Sequence, residues 1–200
     1  LTLTDATGVS FSGNVTLNDL ITTANGYSVS MTGSSHTIPQ NVLFQNTGGV
    51  TLGDGGDIFN FTNGVTSLLS ANSLGGDITA TNAPIQFGSI SLNDDIFVSS
   101  GQGDIDIGAV NGGAFLLTLQ NSNAGVITLN GAISNIDGFQ ATSGAAIDIN
   151  RNISTTRYIQ FESGSTITQT AGTLNTDQVS AISSGGITLN GANTINSFNA

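Results

Sequence analysis

Seven of the chain's thirteen acidic residues, Asp54, Asp57, Asp77, Asp94, Asp95, Asp104 and Asp106, fall within 53 consecutive positions. Clustered carboxylate oxygens suit a hard divalent cation, and calcium is the ion this set predicts. The same residue type admits glycoside hydrolysis, which needs two carboxylates about 5–10 Å apart. Against both stands a plainer role, in which acids keep a nearly uncharged surface from associating. His36, in GSSHTIPQ (33–40), is the only histidine. Ser34 and Ser35 stand beside it, but no G-x-S-x-G elbow occurs, and its place in a turn predicts a surface imidazole. GDGGDIF (53–59) has the phrasing of a calcium-binding nonapeptide. It occurs once, whereas such sites draw ligands from tandem copies. GQGD (101–104) lacks the third glycine of a dinucleotide fingerprint. Both stretches read as turns in which glycine supplies positive φ.

The composition narrows the partners. Lysine is absent, arginine occurs only at Arg151 and Arg157, and the formal charge is −11 with a pI near 4.1. Nucleic acid is excluded as a partner, because phosphate recognition needs Lys and Arg. Adsorption to an anionic membrane surface is disfavoured for the same reason. No apolar run approaches the ~18–20 residues of a membrane helix, so no membrane insertion of this segment is expected. Charged residues make up 8% of the chain, against ~25% in ordinary domains, so Thr, Ser, Asn and Gly must build the polar surface. Cysteine is absent, which removes disulfides and thiolate metal sites. The chain begins at Leu1 and shows no signal peptide, so an internal segment of a longer protein is expected.

What would position the acids is a repeat. An apolar–polar–apolar triplet recurs as Val9-Ser10-Phe11, Val29-Ser30-Met31 and Val50-Thr51-Leu52. It continues as Ile78-Thr79-Ala80, Ile105-Asp106-Ile107, Ile127-Thr128-Leu129, Ile147-Asp148-Ile149, Ile167-Thr168-Gln169 and Ile187-Thr188-Leu189. Between triplets stand further apolar residues in period-two alternation, separated by Gly, Asn, Ser and Asp, so each unit holds three short strands. A twenty-residue unit cannot bury its apolar face alone, whereas stacked units can. The reading is all-β: one solenoid over residues 1–200, with about nine coils of about 20 residues and three short strands per coil. It is a parallel β-helix, right-handed by the crossover rule.

Three expectations about side chains follow. The first residues of the nine triplets form one inward stack, and their middle residues form an outward stack. Asn130, Asn150 and Asn190 align as a short amide ladder. Gln169 stands where the other triplets are apolar, which puts the register of its coil in question.

The steps from Val50 to Ile78 and from Ile78 to Ile105 are 28 and 27 residues, against about 20 elsewhere. Longer, irregular coils are therefore expected at 50–104, bulging at TSLLSANSL (66–74) and SLNDDIFVSS (91–100). Insertions on a solenoid face commonly carry binding, so the binding surface is expected there.

The phrasing G-x-I-T-L-N-G-x-I, in VITLNGAI (126–133), GAAIDINRNI (144–153) and GGITLNGANTI (185–195), resembles the repeats of filamentous haemagglutinin-like exoproteins. These are bacterial adhesins secreted by the two-partner pathway, and autotransporter passenger domains look similar. The resemblance implies a right-handed parallel β-helix at the cell surface that serves as a non-catalytic stalk or adhesive fibre. Its partners would be a glycan or protein on a host or neighbouring cell, with self-association end to end or side by side. The NPNGI-like signature of the secretion domain is absent, so this would be shaft rather than secretion cap. Two rival classes stay open. One is a carbohydrate-active β-helix enzyme of the glycosidase type. The other is a calcium- or ice-binding solenoid, although only two coils read T-x-T, at 79–81 and 168–170.

Overall fold

A computed structural model describes residues 1–4 and 7–200. It is all-β, with no helix, and its strands pair in parallel from coil to coil. One sheet has ten strands, running from Thr2–Leu3 to Gly186–Leu189. Neighbouring β-strands lie about 4.8 Å apart, so ten strands make a rod of roughly 43 Å. Ten turns replace the nine expected. The second sheet has fourteen strands and wraps the other two sides of each coil. In the early coils those sides are separate strands, such as Ser28–Met31 and Ser35–Ile38. In later coils they fuse into bent strands, such as Ile133–Ser143 and Ile153–Ser163.

Alternation explains the core. In Ile127–Leu129 and Ile147–Ile149 the outer residues are buried and the middle one is half-exposed. Pairing carries this from coil to coil. Val65, Ile85, Ile105, Ile127, Ile147, Ile167 and Ile187 form one inward column. Thr66, Gln86, Asp106, Thr128, Asp148, Thr168 and Thr188 form the outward column beside it. Each buried Ile of this kind stabilises the fold by about 1.5–3 kcal/mol.

The single nine-member column divides into three. Val9, Val29 and Val50 lie in the second sheet, in a column that continues through Asn72, Ile90, Val110, Ile133, Ile153 and Leu174. Ile78 belongs to the third side, between Phe59 and Val98. Only the triplets from Ile105 onward share the first sheet. Because the triplets occupy different sides, the steps of 28 and 27 do not measure coil length. True register runs from Val50 to Asn72, Ile90 and Val110, which are steps of 22, 18 and 20. Residues 50–104 therefore hold coils of ordinary size. TSLLSANSL and SLNDDIFVSS contain strand residues of Val65–Ser67, Asn72–Thr79, Ile90–Leu92 and Ile96–Ser99. The irregularity lies instead at 53–56, where four residues between Leu52 and Asp57 face the single residue Gly75 between Leu74 and Gly76. Gly53, Gly55 and Gly56 there have φ of 87°, 139° and 70°, a region that glycine enters without strain.

Gln169 does not break the register. It pairs in line with Ile149 and Leu189 and is fully buried. Its Nε2 donates to the Gly172 carbonyl and to Asn193 Oδ1, each at 3.0 Å. Its Oε1 accepts from Asn193 Nδ2 (2.9 Å) and Gly191 N–H (3.1 Å). A buried amide so satisfied takes an apolar place without an orphaned polar atom.

Candidate functional site

The seven acids are spread over the rod. Asp106 lies in the outward column of the first sheet and accepts from Gln86 Nε2 at 2.8 Å. Asp77, Asp95 and Asp104 each accept a backbone N–H from the next coil. The donors are Phe97, Leu116 and Val126, at 2.8–2.9 Å. Asp54, Asp57 and Asp94 meet around the 53–56 bulge: Asp57 Oδ2 accepts from Asp54 N–H (2.8 Å), and Asp94 Oδ2 from Gly56 N–H (3.0 Å). Asparagines do the same work, with Asn14 accepting from Ser35, Asn82 from Gln102 and Asn152 from Thr173. At bends the backbone ladder is interrupted, and a short Asx side chain supplies the missing acceptor to the coil above. Among the described residues, no three His, Asp or Glu side chains converge into a group that could hold a metal ion.

His36 is buried rather than on the surface. It occupies an inward column between Val15 and Phe59. Its ring stacks on Phe59 with centroids 4.6 Å apart and planes 12° from parallel. Neither ring nitrogen has a hydrogen-bond partner. Burial holds its pKa below the ordinary value of 6.5, while the Gly33 carbonyl and the Asp57 charge pull the other way.

The expected amide ladder forms in part: Asn150 Nδ2 donates to Asn130 Oδ1 (2.9 Å) and Thr170 Oγ1 extends it to Asn150 Oδ1 (2.5 Å), whereas the Asn190 side chain does not join it, because Thr170 stands in the intervening coil. A second ladder was not legible in sequence. Ser143, Ser163 and Ser183 turn inward at one corner and donate to carbonyls of the following turn, with Thr166 and Gly186 accepting from the last two at 3.0 Å.

Two surface depressions lie on the third side of the later coils. One, of about 230 Å³, is lined by Gln140, Tyr158, Ile159, Gln160, Gln178 and Ser180. Gln140 Nε2 donates to the Tyr158 hydroxyl at 2.9 Å. Gly138 pairs with Tyr158, and a Cβ on Gly138 would stand 2.7 Å from the tyrosine ring, so the ring settles over the glycine. Arg157 lies 5.5 Å from the ring centroid and forms an ion pair with Asp137 at 2.5 Å. The other depression, of about 550 Å³, is lined mostly by small polar residues of the serine corner together with Gln120 and Ile182, with Glu162 the one carboxylate in that lining. Both fall outside residues 50–104, where binding was expected. The sequence signal was Gln140 and Gln160, twenty residues apart, with the tyrosine two residues before the second.

The side of the rod is polar but hardly charged. Its outward columns carry mostly Thr, Gln, Asn and Ser; in the one on the first sheet Ile21 and Leu43 are exposed apolar members, and Asp106 and Asp148 interrupt it further on. From Val65–Ser67 to Ile147–Ile149 each strand of that sheet places one half-exposed residue between two buried ones, so the middle column there has no second column of the same strand beside it. Among the described residues no helix is long and apolar enough to cross a membrane. The chain matches no protein-family model, no curated protein and no solved structure.

Proposed function

We propose that this chain is part of the shaft of a secreted bacterial surface protein, a structural and adhesive segment without catalysis. The observation that carries the reading is the pairing of an uninterrupted apolar column with a side surface of neutral hydrogen-bonding groups. Val65 to Ile187 stack through seven successive strands of the first sheet, and every rung is hydrogen-bonded to the next. Such a rod resists bending and offers proteases few loops. Threonine, glutamine and asparagine on its side favour neutral, hydroxyl-rich partners over strongly charged ones. A glycan or protein on a host or neighbouring cell fits that surface, and the location implied is extracellular. The ITLNGA-type phrasing is the independent reason to place it among bacterial exoproteins.

The carboxylates support a non-catalytic role, since Asp77, Asp95 and Asp104 serve as acceptors between coils. The test is adhesion of beads coated with the purified chain to epithelial cells and to bacteria, together with limited proteolysis. Saturable adhesion by a protease-resistant rod is expected. A rod that adheres to neither surface, or that trypsin-independent proteases digest within the coils, would end the reading.

A further inference from the structure

We infer that the groove formed by Gln140, Tyr158, Gln160, Gln178 and Ser180 is a subsite for one neutral pyranose ring of a glycan. The inference rests on the adhesive reading above and names the chemistry of its ligand.

Many of the chain's side-chain amides bond the chain itself. Asn46 and Asn72 bond turn carbonyls, Gln169 pairs with Asn193, and Asn14, Asn82 and Asn152 accept from the next coil. Gln160 and Gln178 are exposed, and among the described residues their amides bond no protein group. They flank a tyrosine ring that is held in place. Gly138 leaves room beneath the ring, Gln140 bonds its hydroxyl, and Arg157, tied to Asp137, sits against it. A held aromatic wall beside unengaged planar amides is a preorganised arrangement. Each amide offers a donor and an acceptor side by side, which matches two vicinal hydroxyls of a sugar. The part of the tyrosine ring left uncovered by Gly138 and Arg157 offers apolar surface to the sugar's C–H groups. The six lining residues are uncharged, and Arg157 beside the ring is paired with Asp137, which favours a neutral sugar over a uronate or sulfated one. The volume of about 230 Å³ suits a single ring rather than an oligosaccharide.

The experiment is saturation-transfer NMR of the intact chain with lactose and with β-1,4-linked glucotetraose, using a heparin hexasaccharide as the charged control. Transfer to the ring C–H protons of a neutral sugar is expected. Tyr158→Ala should weaken it about tenfold, and Gln160→Ala and Gln178→Ala severalfold each. Tyr158→Phe, which keeps the wall, should retain most binding, and unchanged circular dichroism shows that each variant folds. Transfer from neither neutral sugar, equal transfer in Tyr158→Ala, or binding of heparin alone overturns the subsite. Cell adhesion measured alongside separates the two proposals. Adhesion and sugar transfer that both persist unchanged in Tyr158→Ala overturn the subsite and leave the shaft adhesive through another face. Sugar binding lost in Tyr158→Ala, in a chain that adheres to no cell, upholds the subsite and overturns the adhesive reading.

Discussion

His36 stacks on Phe59 inside the rod, with ring centroids 4.6 Å apart, and both of its nitrogens lack hydrogen-bond partners. Burial lowers its pKa from 6.5, so the folded chain takes up this proton at lower pH than the unfolded chain. Its contribution to stability is therefore complete above pH 6.5 and is lost as pH falls below that value. Urea unfolding followed from about pH 7.5 to about pH 5 should show stability declining with acid. His36→Phe should flatten that decline and be neutral or stabilising at the upper end. An unchanged slope in the variant would mean that the imidazole is solvated.

Ile147 is fully buried, while Thr128 stands in the outward column between Asp106 and Asp148. Ile147→Asp should destabilise by several kcal/mol, because it buries an unpaired charge, and added salt should not rescue it. Thr128→Asp should cost less, about 1 kcal/mol, through repulsion between stacked carboxylates. Raising ionic strength should remove most of that cost. Thr128→Asn should be close to neutral. Equal losses for Ile147→Asp and Thr128→Asp would mean that the inward and outward columns are misassigned.

Gln169 and Asn193 exchange amide hydrogen bonds across one coil step. Pattern alone would favour Leu at 169. The structure predicts the reverse: Gln169→Leu should destabilise by about 1–3 kcal/mol, since it orphans Asn193 and the carbonyl of Gly172. A double-mutant cycle with Asn193→Ala should be strongly non-additive. Additive losses would show that the two amides do not meet.

Asp104 accepts the Val126 N–H of the next coil at 2.8 Å. Asp104→Asn keeps an acceptor and should change stability little, whereas Asp104→Ala should lose about 0.5–1 kcal/mol. The melting temperature should be the same with millimolar calcium as with chelator. A rise with calcium that vanishes in Asp104→Ala would return the acids to a metal-binding role.

The all-β class, the period near twenty and the inward stack from Ile105 to Ile187 were legible in the sequence, because each coil templates the next and equivalent positions must alternate alike. Glycines 53, 55 and 56 announced their turn for a similarly local reason, since only positive φ calls for them there. The side of the coil to which a triplet belongs was not legible. Val50-Thr51-Leu52 and Ile127-Thr128-Leu129 alternate identically, yet they lie in different sheets. The bulge at 53–56 shifts the phase, and only the pairing of Val50 with Asn72 resolves it. The surroundings of polar residues were not legible for a related reason. Whether His36 or Gln169 faces inward depends on what the neighbouring coils place above and below it. Whether Asp77, Asp95 or Asp104 holds an ion or an amide depends on the offset between coils. The groove depends on it too, because Gln140, Tyr158 and Gln178 are brought together by the registers of Gly138 with Tyr158 and Tyr158 with Gln178. Local alternation sets the strands, and stacking between coils, which acts across about twenty residues of chain, sets which side chains meet.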